Sequence, residues 1–147
     1  VSFLPDVNVL VAMAWPSHVQ HTAALRWFEA NRSEGWATCP ITQSGFVRVS
    51  SNRNVIPEAK TPHEALALLR RIVEQPGHRF WEDDIAIASA REIEPQRLLG
   101  YRQVTDAHLL ALALRRGGRI ATFDRGLRQL VPGGRTATST VHLIEVG

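Results

Sequence analysis

The residues of this chain best able to do chemistry are its five aspartates, Asp6, Asp83, Asp84, Asp106 and Asp124. Three of them fall at boundaries that the sequence pattern predicts. Asp6 follows a short opening strand and precedes an apolar run, Asp106 opens a leucine-rich helix, and Asp124 follows an apolar strand. Each has an ordinary explanation by itself. A carboxylate at a helix start accepts unpaired N–H groups and complements the helix dipole, and Asp also favours turns. Asp6 fits this less well, because it lies between apolar segments where an uncompensated carboxylate is costly to bury. Three carboxylates converging in one crevice are explained together by a hard cation. Mg²⁺ and Mn²⁺ take oxygen ligands and relieve the repulsion between clustered acids. Such a site activates water and neutralises charge on a scissile phosphate.

The elements that must position these residues can be read from periodicity and punctuation. The run over 7–14 is helix-like. Ser17 is placed to cap a helix over 18–31, which Gly35 ends. A strand over 36–38 leads to Pro40 at the start of a helix that runs to about residue 51. Thr61-Pro62-His63-Glu64 has the spacing of a capping box, and Pro76-Gly77 stops the helix it begins. A strand follows over 78–81. The pair Asp83-Asp84 is placed to cap a short helix over 85–93, and another start is expected over 95–99. Thr105 is placed to cap a long buried helix over 106–116, ended by Gly117-Gly118. Strands over 119–123 and 141–146 flank a helical turn over 126–130. Strands and helices alternate, which specifies an α/β domain over 1–147 with a mainly parallel sheet covered on both faces. In such sheets the active crevice lies at the carboxyl ends of the strands.

Composition narrows the function classes. The chain has 147 residues, a length that suits one domain. Its formal charge is +3, and 16 of its 17 cationic residues are Arg, with Lys60 the only lysine. That removes most lysine-centred chemistry, including the phosphorelay receivers that the acidic pair Asp83-Asp84 would otherwise suggest. Arginine excess suits phosphate binding through bidentate contacts, and Arg48, Arg53, Arg102 and Arg125 lie near the expected rim. Cys39 is the only cysteine, so neither an intrachain disulfide nor a cysteine-rich zinc cluster can form. The longest apolar run, over 9–15, is far short of the ~20 residues that span a bilayer. It has no basic region before it, so the expectation is a cytoplasmic protein with no membrane segment.

Four segments, in order, carry a resemblance. Leu4-Pro5-Asp6-Val7-Asn8-Val9-Leu10, Val104-Thr105-Asp106-Ala107-His108-Leu109-Leu110-Ala111-Leu112-Ala113 and Ala121-Thr122-Phe123-Asp124 resemble the best-marked segments of PIN-domain ribonucleases. The stretch from Thr38 to Val49 resembles the remaining one. The similarity is closest to VapC-type toxins of bacterial toxin–antitoxin pairs. It implies a three-layer α/β/α fold and Mg²⁺- or Mn²⁺-dependent cleavage of RNA. It also implies a cognate antitoxin, usually with a DNA-binding half, and commonly a homodimer. Asp6, Asp106 and Asp124 match the family's acidic site, and Asn8 and Thr122 match polar positions that orient carboxylates or water. One position departs: Gln43 stands where the family commonly has Glu. An amide can ligate through its carbonyl oxygen, but it carries no charge and is no base near neutral pH. The expectation is one cation held by the three aspartates, with any second held more weakly. The alternative is a PIN-like RNA-binding module with weak or no catalysis.

Other residues carry weaker signals. His18 and His21 are three apart, without a third ligand nearby, and make a poor zinc case. His108 reads as a core or helix-surface histidine. Trp15, Trp27 and Phe28 are expected in the core, or lining a groove for an antitoxin helix. No Walker, Gly-x-Gly-x-x-Gly or Gly-x-Ser-x-Gly motif is present.

Overall fold

The strands of this chain are too short to be stable alone, and what they bury is set by their alternation. In the computed structural model, which describes residues 2–146, β1 (Phe3–Pro5), β2 (Trp36–Thr38), β3 (His78–Phe80), β4 (Arg119–Thr122) and β5 (Val141–Leu143) form one sheet. The order is β3-β2-β1-β4-β5 and every neighbouring pair is parallel. Successive side chains point to opposite faces. Phe3, Trp36 and Ala121 therefore face one apolar layer, while Leu4, Ala37 and Ile120 face the other.

The first layer is completed by α1 (Val7–Ala14), α2 (His21–Asn31), α3 (Pro40–Ser50) and α4 (Pro62–Val73), which contribute Leu10, Phe28, Phe46 and Leu69. The second is dominated by α5 (Gln103–Arg115), with Leu109, Leu110 and Leu112 almost wholly buried. A short α6 (Ala137–Thr140) lies just before β5. This is the expected three-layer α/β/α arrangement. It also locates a site. The chain moves outward from β1 to β2 to β3, then returns to pair β4 with β1 on its other side. The order therefore reverses between β1 and β4, and the crevice beyond their carboxyl ends is where open α/β sheets bind ligands.

Local chemistry explains most boundaries and several departures. Thr61 accepts the Glu64 N–H while Glu64 reaches back to the Thr61 N–H, completing the expected capping box. Gly117 takes φ +68° after α5, a conformation glycine adopts without a Cβ penalty. The α2 helix begins at His21 rather than after Ser17, whose hydroxyl donates instead to Glu58 at 2.7 Å. The expected helix over 85–93 is a run of turns. Asp83 there closes a local turn on the Ile85 N–H at 3.0 Å and spends its other oxygen on His108 at 2.6 Å. The α5 helix starts two residues before Thr105, because the Gln103 side chain accepts the N–H groups of Leu99 and Gly100. The last strand ends at Leu143, and α6 had no visible signal.

Close approach of α1 and α3 fixes the helix that Asp6 caps. Gly45 makes that approach possible, since a Cβ built there would stand 2.5 Å from Val7 Cγ2. Valine is stiff in a helix and has little room to yield. Gly45→Ala is expected to lower stability by about 1–2 kcal/mol in urea unfolding, despite alanine's better helix propensity. Adding Val7→Ala should recover part of the loss; a stabilised single variant would contradict the packing described.

Candidate active site

Asp6 sits at the junction of β1 and α1, where both elements make demands on it. Its N–H donates to Ala121 across the β1–β4 seam at 3.0 Å. Its Oδ1 caps α1 by accepting the Val9 N–H at 2.9 Å. Its Oδ2 accepts from the Thr122 hydroxyl at 2.6 Å. Thr122 is wholly buried at the end of β4, and its oxygen in turn accepts the Asp124 N–H at 3.0 Å. Asp124 accepts the Gly126 N–H at 2.8 Å, which fixes the turn leaving the strand. A continuous hydrogen-bonded string thus links two of the predicted acids through the predicted threonine. Asp106 approaches from the first turn of α5.

The three carboxylates line one cleft of about 690 Å³ with Asn8, Arg48 and Thr122. Their fields are felt mutually. Burial pushes the Asp6 carboxyl up to about 6, against the lowering effect of Thr122 and Val9 and with a further push from Asp124. Burial, then the charges of Asp6 and Asp124, push Asp106 up to about 6 as well. None of the ion pairs among the described residues involves these three acids. The donors suit a hard cation, since they are carboxylate oxygens with a hydroxyl beside them. They are not drawn into a finished cage: among the described residues, no three His, Cys, Asp or Glu side chains stand grouped to hold a metal.

The other predicted residues are placed differently. The Asn8 side chain lines the same cleft but bonds to the α1–α2 loop rather than to the acids, donating to Gln20 Oε1 at 3.3 Å and meeting His18 Nε2 at 3.0 Å. Gln43 lies outside the cleft, in a neighbouring depression that shares only Arg48 with it. Its amide donates to Thr38 Oγ1 at 3.0 Å, and Thr38 in turn meets His78 Nε2 at 2.7 Å. Arg48 is on the cleft wall; Arg125 is exposed beside Asp124, Arg102 packs over Tyr101, and Arg53 belongs to a separate depression. Trp15, Trp27 and Phe28 are buried. Phe28 also shows an edge to a groove lined by Met13, Leu25, Leu68 and Ile72.

Sequence reasoning missed the rest of the cleft lining. Ser17, His18 and Val19 from the α1–α2 loop, and Val55, Ile56 and Pro57 from the α3–α4 loop, close the cleft. His18 Nδ1 accepts the Gln20 N–H at 3.0 Å, so the ring proton belongs on Nε2, facing Asn8 Oδ1. Burial and nearby His21 lower the His18 pKa, in keeping with that neutral form. Only tertiary structure brings these loops to the acids, and no local motif marks them.

A parallel sheet with its acids gathered at the β1–β4 reversal defines the class, and the chain belongs to the PIN domain family, whose model matches residues 3–131. Among relatives, Ribonuclease VapC39 of Mycobacterium tuberculosis is 47% identical over 131 residues, covering 89% of this chain and 94% of that protein. Ribonuclease VapC38 of the same organism is 50% identical over 124 residues, 84% of this chain and 86% of that one. Ribonuclease VapC44, also from Mycobacterium tuberculosis, is 42% identical over 131 residues, 88% and 92% of the two chains.

A carboxyl that holds its proton more tightly when folded than when unfolded favours folding at low pH. For Asp6 and Asp106, stability therefore falls as pH rises from the ordinary 3.8 toward about 6. In divalent-free buffer, Asp106→Asn should flatten part of that fall. It should also raise stability at pH 7 by on the order of 1 kcal/mol, after allowance for solvent screening. Urea unfolding across this range checks it, and a variant less stable at pH 7 would contradict the electrostatic reading.

Proposed function

We propose that this protein is a divalent-cation-dependent endoribonuclease, the toxin half of a toxin–antitoxin pair. Asp6, Asp106 and Asp124 would hold Mg²⁺ or Mn²⁺. One observation carries the reading: three carboxylates share a cleft, two of them with raised pKa values, and no cation among the described residues pairs with them. The relatives' names, each a ribonuclease, support RNA as the substrate class. The chemistry such a cation supplies when bound is charge neutralisation at the phosphate and activation of water.

The chain's own residues do the rest. Thr122 fixes the Asp6 carboxylate by donating to Oδ2, and fixes the Asp124 backbone by accepting its N–H. The Val9 N–H, at the start of α1, holds the other Asp6 oxygen. Arg48 stands in the same cleft to meet a phosphate oxygen of the RNA backbone. Gln43, bound to Thr38, contributes no charge, so the reading needs one cation and no second carboxylate cluster.

The same reading includes a neutralising protein antitoxin and pairing of two copies, as the family resemblance implies. The groove lined by Met13, Leu25, Phe28, Leu68 and Ile72 has the apolar character that accepts an amphipathic helix. Among the described residues, no helix is long and apolar enough to cross a membrane.

Purified protein with Mn²⁺ should cut single-stranded RNA in preference to DNA, and chelation should abolish cutting. Asp6→Asn or Asp124→Asn should lower the rate at least about a hundredfold, while Gln43→Glu changes it by less than about threefold. RNA bound but uncut at every metal concentration would instead favour the binding-module alternative.

A further inference from the structure

The cleft has two unlike walls. One carries the acids. The other is apolar and is built from the α1–α2 and α3–α4 loops, with Val19 94% exposed and Val55 55% exposed. Ile56 behind them is buried and anchors the second loop to the core.

These loops are held in place. Asn8, His18 and Gln20 form a closed triangle of side-chain and backbone hydrogen bonds at 3.0–3.3 Å, which ties the first loop to α1 just past Asp6. Ser17 then donates to Glu58 at 2.7 Å, joining the first loop to the second. The result is a preformed apolar surface, in the same cleft as the carboxylates, on backbone that need not be ordered on binding.

A base is tied to its phosphate through one sugar. Whatever holds an RNA phosphate over Asp6, Asp106 and Asp124 therefore brings a base within reach of the rest of the same cleft. A volume of about 690 Å³ leaves room beyond the phosphate for a nucleoside. An unstacked base offers flat, weakly hydrated faces, and proteins that bind single strands recover part of the lost stacking on apolar or planar side chains. Val19 and Val55 supply the apolar face, and among the described residues the Arg48 guanidinium is the planar cation on the cleft wall. We infer that Val19 and Val55 form a nucleobase subsite that grips the nucleotide next to the scissile phosphate, with His18, Asn8, Ser17 and Glu58 as its positioning residues. The inference rests on the ribonuclease reading and names the part of the substrate that the apolar wall contacts.

The test crosses a protein change with a substrate change. The cut is first mapped in a short single-stranded RNA with Mn²⁺, and the same strand is then made with an abasic site on either side of it. Affinity is read by fluorescence anisotropy in Ca²⁺ and kcat/KM in Mn²⁺. Removing one flanking base should weaken the wild-type protein about fivefold or more in both measurements. Val19→Ser combined with Val55→Ser should lose a similar factor on intact RNA and nothing further on the abasic strand. His18→Gln, whose carboxamide can both donate to Asn8 and accept from Gln20, should keep more activity than His18→Ala. Both valines are exposed, so the melting temperature of the double variant should match wild type, separating lost contact from lost fold.

Wild-type affinity and kcat/KM in the double variant would overturn the subsite and leave this wall to a protein segment. Additive losses from the two changes would overturn it too. RNA that is bound but not cut, with anisotropy on strands abasic at each position in turn still showing the coupled loss, would overturn the ribonuclease reading and retain the base contact. A protein that neither binds nor cuts RNA overturns both.

Discussion

The bond from the Thr122 hydroxyl to the Asp6 carboxylate, 2.6 Å long and wholly buried on the threonine side, joins the ends of β1 and β4. Everything at the site depends on it. Asp6 also caps α1 and accepts the Val9 N–H, so its position is fixed by a strand, a helix and a neighbouring strand at once. These hydrogen bonds favour the charged carboxylate, yet burial outweighs them and pushes the pKa up to about 6. Asp106 is driven the same way by burial and by its two acidic neighbours. The fold therefore carries an electrostatic debt at this one point, which a bound cation would relieve.

The surrounding architecture explains how a small domain tolerates such a site. Two apolar layers, one on each face of the sheet, supply the burial that holds short strands in register. The acids are confined to the edge of those layers, where the strand order reverses and helices leave the sheet. Asp83, after β3, bonds to His108 on α5, two residues from Asp106, but neither lines the cleft. Their bond ties the segment after β3 to α5 in place of the missing helix, and so helps hold α5 against the sheet.

Most of this was legible where one residue type has one job. The capping box at Thr61, the proline starts of α3 and α4, and the alternation of strands with apolar helices all declare themselves locally. The three acids stood out because Asp is scarce and each stood at the boundary of an element that the pattern already marked. What was hidden depended on distant partners. Ser17 has the chemistry of a cap but is claimed by Glu58, and Asp83 is claimed by His108 across 25 positions. Asn8 was matched to the acids by family pattern, yet its side chain serves the α1–α2 loop. Gln43 was read as a substituted site residue and stands on Thr38, one depression away. The apolar wall of the cleft was not visible at all, since its residues come from two loops that no periodicity connects.

The central claim is that Asp6 and Asp106 sit in a cation site, and their carboxyl titration reads it directly. Carbon-13 chemical shifts of the two side chains, followed against pH without divalent ions, should show both groups titrating near 6. With saturating Mg²⁺, both should fall to or below the ordinary aspartate value of 3.8. Titration curves that Mg²⁺ leaves unmoved would contradict the account.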